Sequence, residues 1–443
     1  MAAQGDESRP GTLLESTGDS VVPQVRRPMT VAHSLTMLVA VVATGLCCLR
    51  VATAAPDEEL LGKSKGYPMG TRANWYLDDS VRVGSYTNLD KLFPNQHHIL
   101  RKAEDPLPLT RAAAEPALQY RFGGRTNTID DYLAHQRATG LLVIKDGQIL
   151  VERYQYDRKP TDRLLSNSMA KSLISIGIGL ALSETHLRSL DDKVVEYVPE
   201  LRGNIYGQTA IRNLLRMASG ARFTEDNLGR SDDAARFALL HGTKGSIAAI
   251  LAFNTRQAPE GERFHYASIE TQVLTVLLRA ATGKTASEYL AKRLWQPMGA
   301  EADATWITAP DGLERGAGFF SATLRDWGRL GILLANDGAL NGKQIIPRDY
   351  LLEATDWHKH PTAFAPKMSP PANGYGYQFW ILRGERRRFL MRGVYGQSIY
   401  VDPELKLVLV HTAVAKTASI GNEPMGAELG ALWLGLVNAF GRW

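Results

Sequence analysis

Gly140-Leu141-Leu142-Val143-Ile144-Lys145-Asp146-Gly147-Gln148-Ile149-Leu150-Val151-Glu152-Arg153-Tyr154 reads as two apolar runs joined by an Asp-Gly pair. That pair takes the positive φ angles a tight two-residue turn needs, so the stretch predicts a β-hairpin. Beyond it, Met169 to Ser183 is apolar nearly all round, with Gly177 and Gly179 inside. Such a helix is predicted to be buried, its glycines marking close packing against a neighbour. The stretch from about 185 to 355 reads mostly as helices and loops, with helices at 211–217, 233–240, 247–253, 270–282, 286–295 and 324–336. Strand pattern returns late, at 377–382, 389–392, 397–401 and 405–410, and a last helix runs over about 425–440. Strands at both chain ends with helices between them predict an α/β chain of the α+β type. The expected architecture is one mixed, largely antiparallel sheet built from both ends and flanked by helices, beside a helical subdomain at about 185–355.

Composition narrows the chemistry. The 443 residues are 44% hydrophobic and 22% charged, a globular balance that excludes disorder and fibrous repeats. The only cysteines are the adjacent Cys47 and Cys48. Neighbouring cysteines in an apolar run cannot staple distant segments, so a disulfide scaffold, a cysteine-ligated zinc site and an iron-sulfur cluster lack raw material. The +5 formal charge is spread among interleaved acids, with no basic block beyond Arg386-Arg387-Arg388. Nucleic acid is therefore not an expected partner.

Residues 31–49 are almost continuously apolar, preceded by Arg26-Arg27 and followed by Ala52-Thr53-Ala54-Ala55. This is the layout of an export signal, with small residues placed for cleavage near Ala55. The expectation is a periplasmic or secreted protein with an N-terminal export segment over 1–55; an uncleaved membrane anchor is the alternative. Residues 56–124, rich in turn formers, are expected to wrap the surface of a domain covering 125–443. Both cysteines fall in the export segment, so a cysteine nucleophile is excluded if it is removed.

Three elements carry candidate chemistry. Ser168-Met169-Ala170-Lys171 opens the buried helix, and residues three apart lie on one helix face, where the amine can withdraw the hydroxyl proton. The helix N-terminus adds a positive dipole end where an oxyanion would develop. The competing reading is an N-capping serine with a solvent-facing lysine. Tyr266-Ala267-Ser268 sits at a loop-to-helix junction, where a nearby ammonium would loosen the phenol proton and make Tyr266 a general base. Met391-Arg392-Gly393, followed by Val394-Tyr395, is a late strand whose glycine lets a backbone N–H approach a substrate carbonyl.

In order and spacing, these elements resemble the beta-lactamase-related serine hydrolases: class C beta-lactamases, D-alanyl-D-alanine carboxypeptidases, esterases and 6-aminohexanoate-dimer hydrolases. The resemblance covers about 125–440, with support from Leu214 to Gly220, Gly316 to Thr323 and Gly374 to Trp380. It is closest to the 6-aminohexanoate-dimer branch, through the box at 168–172, the 393–397 segment, and Val81 to Tyr86 with Phe93-Pro94. The resemblance implies an acyl-enzyme on Ser168, with Lys171 as its proton acceptor and Tyr266 as the acid/base. The backbone N–H groups of Ser168 and Val394 would form the oxyanion hole. Ser268, Met391, Arg392, Gly393, Tyr395 and Tyr375 would touch a small amide or ester substrate. No metal or organic cofactor is implied, and membrane contact is expected only through an uncleaved N-terminal segment. Penicillin-recognising relatives carry Lys-Thr-Gly where this chain has Met391-Arg392-Gly393, and asparagine where it has Ser268. Both departures lower the expectation of beta-lactamase activity; a D-Ala-D-Ala carboxypeptidase or class C-like beta-lactamase remains the alternative, alongside a non-catalytic envelope ligand-binding relative.

A Ser-His-Asp hydrolase is poorly supported, since the one Gly-x-Ser-x-Gly match, Gly62 to Gly66, lies in the polar extension. The ten histidines show no zinc spacing. Gly283-Lys284-Thr285 lacks the upstream glycine of a phosphate loop and reads as a helix connection.

Overall fold

A computed structural model describes residues 54–226, 232–366 and 373–442. The hairpin forms as read: Ala138–Lys145 and Gln148–Tyr154 pair antiparallel, with Asp146 and Gly147 both at positive φ. They form one edge of a seven-stranded sheet. Its spatial order is Gly374–Tyr375, Trp380–Ile381, Phe389–Gly393, Gln397–Asp402, Leu407–Ala413, Ala138–Lys145, Gln148–Tyr154. Every neighbouring pair in it is antiparallel. The two chain ends meet where Leu407–Ala413 pairs with Ala138–Lys145, which joins late strands to the early hairpin as the pattern predicts.

Both faces of this sheet are covered, which is why its middle strands read as continuous apolar runs. Leu142, Ile144, Val408 and Val410 pack with the helices Ala170–Ser183, Ser268–Thr282 and Leu324–Ala335 in one hydrophobic cluster. Leu141, Val143 and Leu409 point the other way, into a second cluster with Leu429, Trp433 and Leu436 of the C-terminal helix Pro424–Phe440. The glycines of the buried helix mark close approaches: a Cβ on Gly177 would lie 2.8 Å from Leu278 Cδ2, and one on Gly179 2.4 Å from Tyr350 Cδ1. The helical stretch at about 185–355 shares the first cluster with the sheet, and the described residues form one compact unit.

Three features differ from the sequence reading. A second, four-stranded sheet runs His97–Leu100, Ala304–Ile307, Phe320–Thr323, Arg163–Leu165. Its strands are three or four residues long, too short to establish a period against flanking loops. Of the strand expected at 377–382, only Trp380–Ile381 pairs; Gln378 turns at φ 60° and donates its side-chain amide to Leu214 O and Leu215 O. The extension is more than a surface wrap. Trp75, Val83, Tyr86 and Leu89 are buried in the second cluster with Leu390 and Tyr395, and Asp79–Thr87 is a helix capped by the Asp78 side chain.

Among the described residues, no helix is long and apolar enough to cross a membrane. The proposed export run 31–49 lies outside the described residues.

Candidate active site

Ser168 lies in a single 3-10 turn, Asn167–Met169, that leads into the helix Ala170–Ser183. The preceding residue, Asn167, is held at φ 44°, a left-handed conformation that costs about 1 kcal/mol or more outside glycine. Its side chain compensates by donating to Val394 O at 3.0 Å, which ties the serine turn to the end of strand Phe389–Gly393.

Lys171, one helical turn on, is 2% exposed. Its Nζ lies 3.0 Å from Ser168 Oγ, 2.9 Å from Ser268 Oγ and 2.8 Å from Ala317 O. Burial lowers its pKa to about 8, against a smaller upward pull from Glu225. The competing reading of a solvent-facing lysine is thus removed. The three contacts also fix the direction of the neutral amine. Ala317 O can only accept, and the Ser268 hydroxyl is committed to donating to Glu225 Oε1 at 2.6 Å. Both amine hydrogens are therefore consumed, and the lone pair faces Ser168 Oγ.

Glu225 was not found in the sequence. It sits in a loop, 43 residues from Ser268, and accepts from both the backbone N–H and the hydroxyl of that serine at 2.6 Å. No periodicity or motif surrounds it. The only signal was Ser268 itself, a hydroxyl that needed an acceptor to orient it.

Tyr266 hydrogen-bonds to Ser168, and Lys171 Nζ lies 5.1 Å from the centre of its ring. Here the expectation of a loosened phenol proton fails. Burial is the largest influence and, with the nearby Glu225 charge, holds the phenol well above the usual tyrosine range, outweighing the Ser168 contact and Arg392. Tyr266 therefore stands at neutral pH as a neutral phenol, a donor rather than a resting base.

Gly393 presses directly on the nucleophile's turn. A Cβ there would lie 2.3 Å from Ser166 O and 2.9 Å from Ser168 N, so no side chain fits. Val394, next in sequence, lines the same cavity as Ser168. Ser168 and Val394 thus line one cavity beside the Gly393 contact, and their N–H groups are the candidates for an oxyanion hole.

The remaining expected residues divide. Ser268 is at the centre of the site. Tyr375 and Trp380 back Tyr266, with ring centres 6.3 and 5.8 Å from it. Arg392 reaches over the Trp380 ring at 5.5 Å, so a cation from this strand does approach the Tyr266 side. Met391 faces the core instead, fully buried in the first cluster, and is unavailable to a substrate because alternation along the strand turns it inward with Phe389. Tyr395 is 4% exposed and supports the turn from behind. His265 anchors its loop through a 2.6 Å contact from Nε2 to Phe223 O. Among the described residues, no group of three or more His, Cys, Asp or Glu side chains could hold a metal ion.

A cavity of about 530 Å³ opens beside Ser168 and Ser268. Trp75, Tyr76 and Phe93 of the extension form one wall, and Phe237 and Phe319 contribute apolar surface of their own.

A serine in contact with a buried lysine and a tyrosine, at a turn packed against a glycine, matches a Ser-x-x-Lys serine hydrolase. The beta-lactamase family model matches residues 126–418, and the chain belongs to that family. It is 26% identical over 312 residues to the 6-aminohexanoate-dimer hydrolase of Paenarthrobacter ureafaciens, a match covering 67% of this chain and 78% of that one. A Bacillus anthracis structure assigned as a 6-aminohexanoate-dimer hydrolase superposes with a TM-score of 0.72 at 24% identity, over 83% of this chain and 96% of that one. A penicillin-binding protein from Bacillus halodurans matches at 0.53 and 16% identity, over 68% of this chain and 99% of that one. The Bacillus anthracis match spans more than residues 126–443 could supply, so the shared fold takes in part of the extension.

Proposed function

We propose that this enzyme hydrolyses a small amide or ester through an acyl-enzyme on Ser168, with linear amides of the 6-aminohexanoate-dimer kind as its substrate class. The observation that carries the reading is the Lys171 amine, whose hydrogens are consumed by Ser268 Oγ and Ala317 O and whose lone pair meets Ser168 Oγ at 3.0 Å. Lys171 takes the Ser168 proton as Oγ attacks the substrate carbonyl, and the oxyanion is held by the Ser168 and Val394 N–H groups. Tyr266, a neutral phenol, donates a proton to the leaving nitrogen or oxygen as the carbonyl bond to it breaks. The Lys171 ammonium beside it restores the phenol. Water then repeats the attack on the acyl-enzyme, with Lys171 again accepting a proton.

Met391, turned into the core, leaves its position without the lysine of penicillin-recognising relatives, which favours the linear-amide reading over beta-lactam hydrolysis. We further propose that residues 31–49 direct export, on the strength of their apolar run and the small residues at 52–55. N-terminal sequencing of the exported protein tests this, and an intact 46–49 segment would rule out cleavage.

A fluorophosphonate probe should label wild type on Ser168 and leave Ser168→Ala unlabelled. Among nitrocefin, a 4-nitrophenyl ester, a D-Ala-D-Ala peptide and 6-aminohexanoate dimer, the ester and the dimer should turn over. Equal labelling of both proteins would end the hydrolase reading, and rapid nitrocefin turnover would overturn the substrate class.

A further inference from the structure

Arg315 lines the cavity next to the reacting serine, and nothing in the mechanism uses it. Its guanidinium touches two other parts of the cavity wall. It donates from Nη2 to Ala238 O at 3.2 Å and lies 4.3 Å from the centre of the Phe319 ring. Its Nε is buried without an acceptor among the described residues. No carboxylate among the described residues pairs with it. The cavity's two carboxylates are spent elsewhere: Glu225 on the Ser268 N–H and hydroxyl, Asp232 on the N–H groups of Ala235 and Asp226. Neither contributes to the electrostatic balance at Arg315, where burial alone acts and pulls its pKa down to about 10. The neighbouring His241 is held neutral, its pKa lowered to about 3 by burial and by Arg315 itself. Arg315 is half-buried at the cavity wall, and its buried Nε, with no acceptor among the described residues, leaves the guanidinium with donors to offer an anion.

Its place in the chain fits a substrate contact. Ala317, whose carbonyl holds Lys171, is two residues further on, at most about 7 Å along the backbone. Phe319, Phe237, Trp75 and Phe93 line the same cavity as Arg315 and Ser168, an apolar surface suited to an aliphatic chain. Arg72, the other cation of the cavity wall, is exposed and already engaged with Leu92 O and the Phe93 ring.

We propose that Arg315 is the anchor for a substrate carboxylate, so that the enzyme selects amides or esters carrying an anionic group at the end of a short aliphatic chain. This rests on the hydrolase reading above and names the charge of its substrate. A planar guanidinium with unused donors meets a carboxylate through paired N–H bonds, and the low-dielectric cavity strengthens them.

The test uses two matched substrate pairs with the full-length protein. Mono-4-nitrophenyl adipate against 4-nitrophenyl hexanoate places the carboxylate on the acyl side; N-acetyl-6-aminohexanoate against its primary amide places it on the leaving side. In at least one pair, wild type should favour the anionic member by about 10- to 100-fold in kcat/KM. Arg315→Gln should bring that ratio close to one, chiefly through KM for the anionic member, and Arg315→Lys should restore part of it. Circular dichroism on the variants shows whether they are folded, and a fluorophosphonate probe on Ser168 reports the catalytic centre separately. Labelled, folded enzyme with no anionic preference in either pair, or with a preference that survives Arg315→Gln, would overturn the carboxylate anchor and leave the hydrolase reading standing. An unlabelled Ser168 in folded wild type would overturn the hydrolase reading, and the anchor with it.

Discussion

The guanidinium of Arg82 lies 4.4 Å from the centre of the Tyr395 ring. One residue belongs to the N-terminal extension and the other to the turn that carries Val394 into the cavity beside Ser168, so the extension supports this turn from behind. Arg82 is 2% exposed and donates to Ala415 O at 2.9 Å, Tyr76 O at 3.1 Å and Leu77 O at 2.7 Å, with an ion pair to Asp79. Ala415 N in turn donates to Tyr395 O. Arg82→Met keeps the aliphatic stem but strands these acceptors, at a cost of about 2–3 kcal/mol. Urea unfolding should report that loss, and limited proteolysis should open the extension. Because the turn loses its support, kcat should fall about tenfold or more. Unchanged kcat in a destabilised protein would mean that the extension serves stability alone.

Lys171 must be neutral to accept the Ser168 proton, so kcat/KM should rise with pH and level off above about 8. Glu225 pulls that pKa upward, partly opposing the effect of burial. Removing its charge in Glu225→Gln should therefore shift the rising limb to lower pH. Lys171→Arg, which cannot lose its proton in this range, should lower kcat/KM by about 10³-fold or more. A rate that is flat from about pH 5 to 9 would count against the lysine as the base.

Ser268 is the hinge between those two groups, accepting from Lys171 and donating to Glu225. Ser268→Ala leaves one amine hydrogen without an acceptor and frees the amine to rotate away from Ser168. We expect kcat to fall about 10- to 100-fold with KM nearly unchanged, since the hydroxyl acts on the base rather than on the substrate. A change confined to KM would place Ser268 in substrate binding instead.

What the sequence made readable follows a physical line. The hairpin at 138–154 and the helices at 170–183, 268–282 and 324–335 are local patterns long enough to establish a period, and Ser168 with Lys171 is a helical spacing. The loop-to-helix junction of Tyr266 is legible in the sequence, but its protonation is not, because burial, a tertiary property, sets it. Glu225 and Arg315 act through contacts that only the folded chain creates, as does Arg82, which meets Ala415 across 333 residues. Met391 was legible in principle, since alternation separates it from Arg392, yet which face of the strand is the core depends on both sheet coverings.

Gly393 offers the sharpest steric test. The missing Cβ would fall 2.9 Å from Ser168 N and 2.3 Å from Ser166 O, both backbone atoms with little room to move. Gly393→Ala should push the strand away from the serine turn and misplace one oxyanion donor. The expected loss is about 10²- to 10³-fold in kcat with a smaller effect on KM. Labelling of Ser168 by a fluorophosphonate should slow in parallel, because the same donors stabilise the attacking geometry. Labelling at the wild-type rate would separate Gly393 from the oxyanion site.

Glu270 gives a prediction about stability rather than catalysis. It is 1% exposed; Ser219 Oγ donates to its Oε1 at 2.6 Å, and its Oε2 is buried with no partner among the described residues. Burial raises its pKa to about 8, against opposing hydrogen bonds from Ser219 and the Ala218 backbone and a smaller pull from the Arg256 charge. The native value thus lies above the ordinary value of 4.5, and the folded chain retains a proton that the unfolded chain releases. This contribution to stability is fully present below about pH 4.5 and is lost as pH rises through about 8. Glu270→Gln keeps the acceptor for Ser219 and cannot ionise. Urea unfolding of wild type between pH 5 and 8 should therefore show a loss larger than that of the variant by about 3 kcal/mol. Equal pH slopes in the two proteins would show that Glu270 is ionised in the native state, its charge held by the Ser219 and Ala218 hydrogen bonds and by Arg256 despite burial.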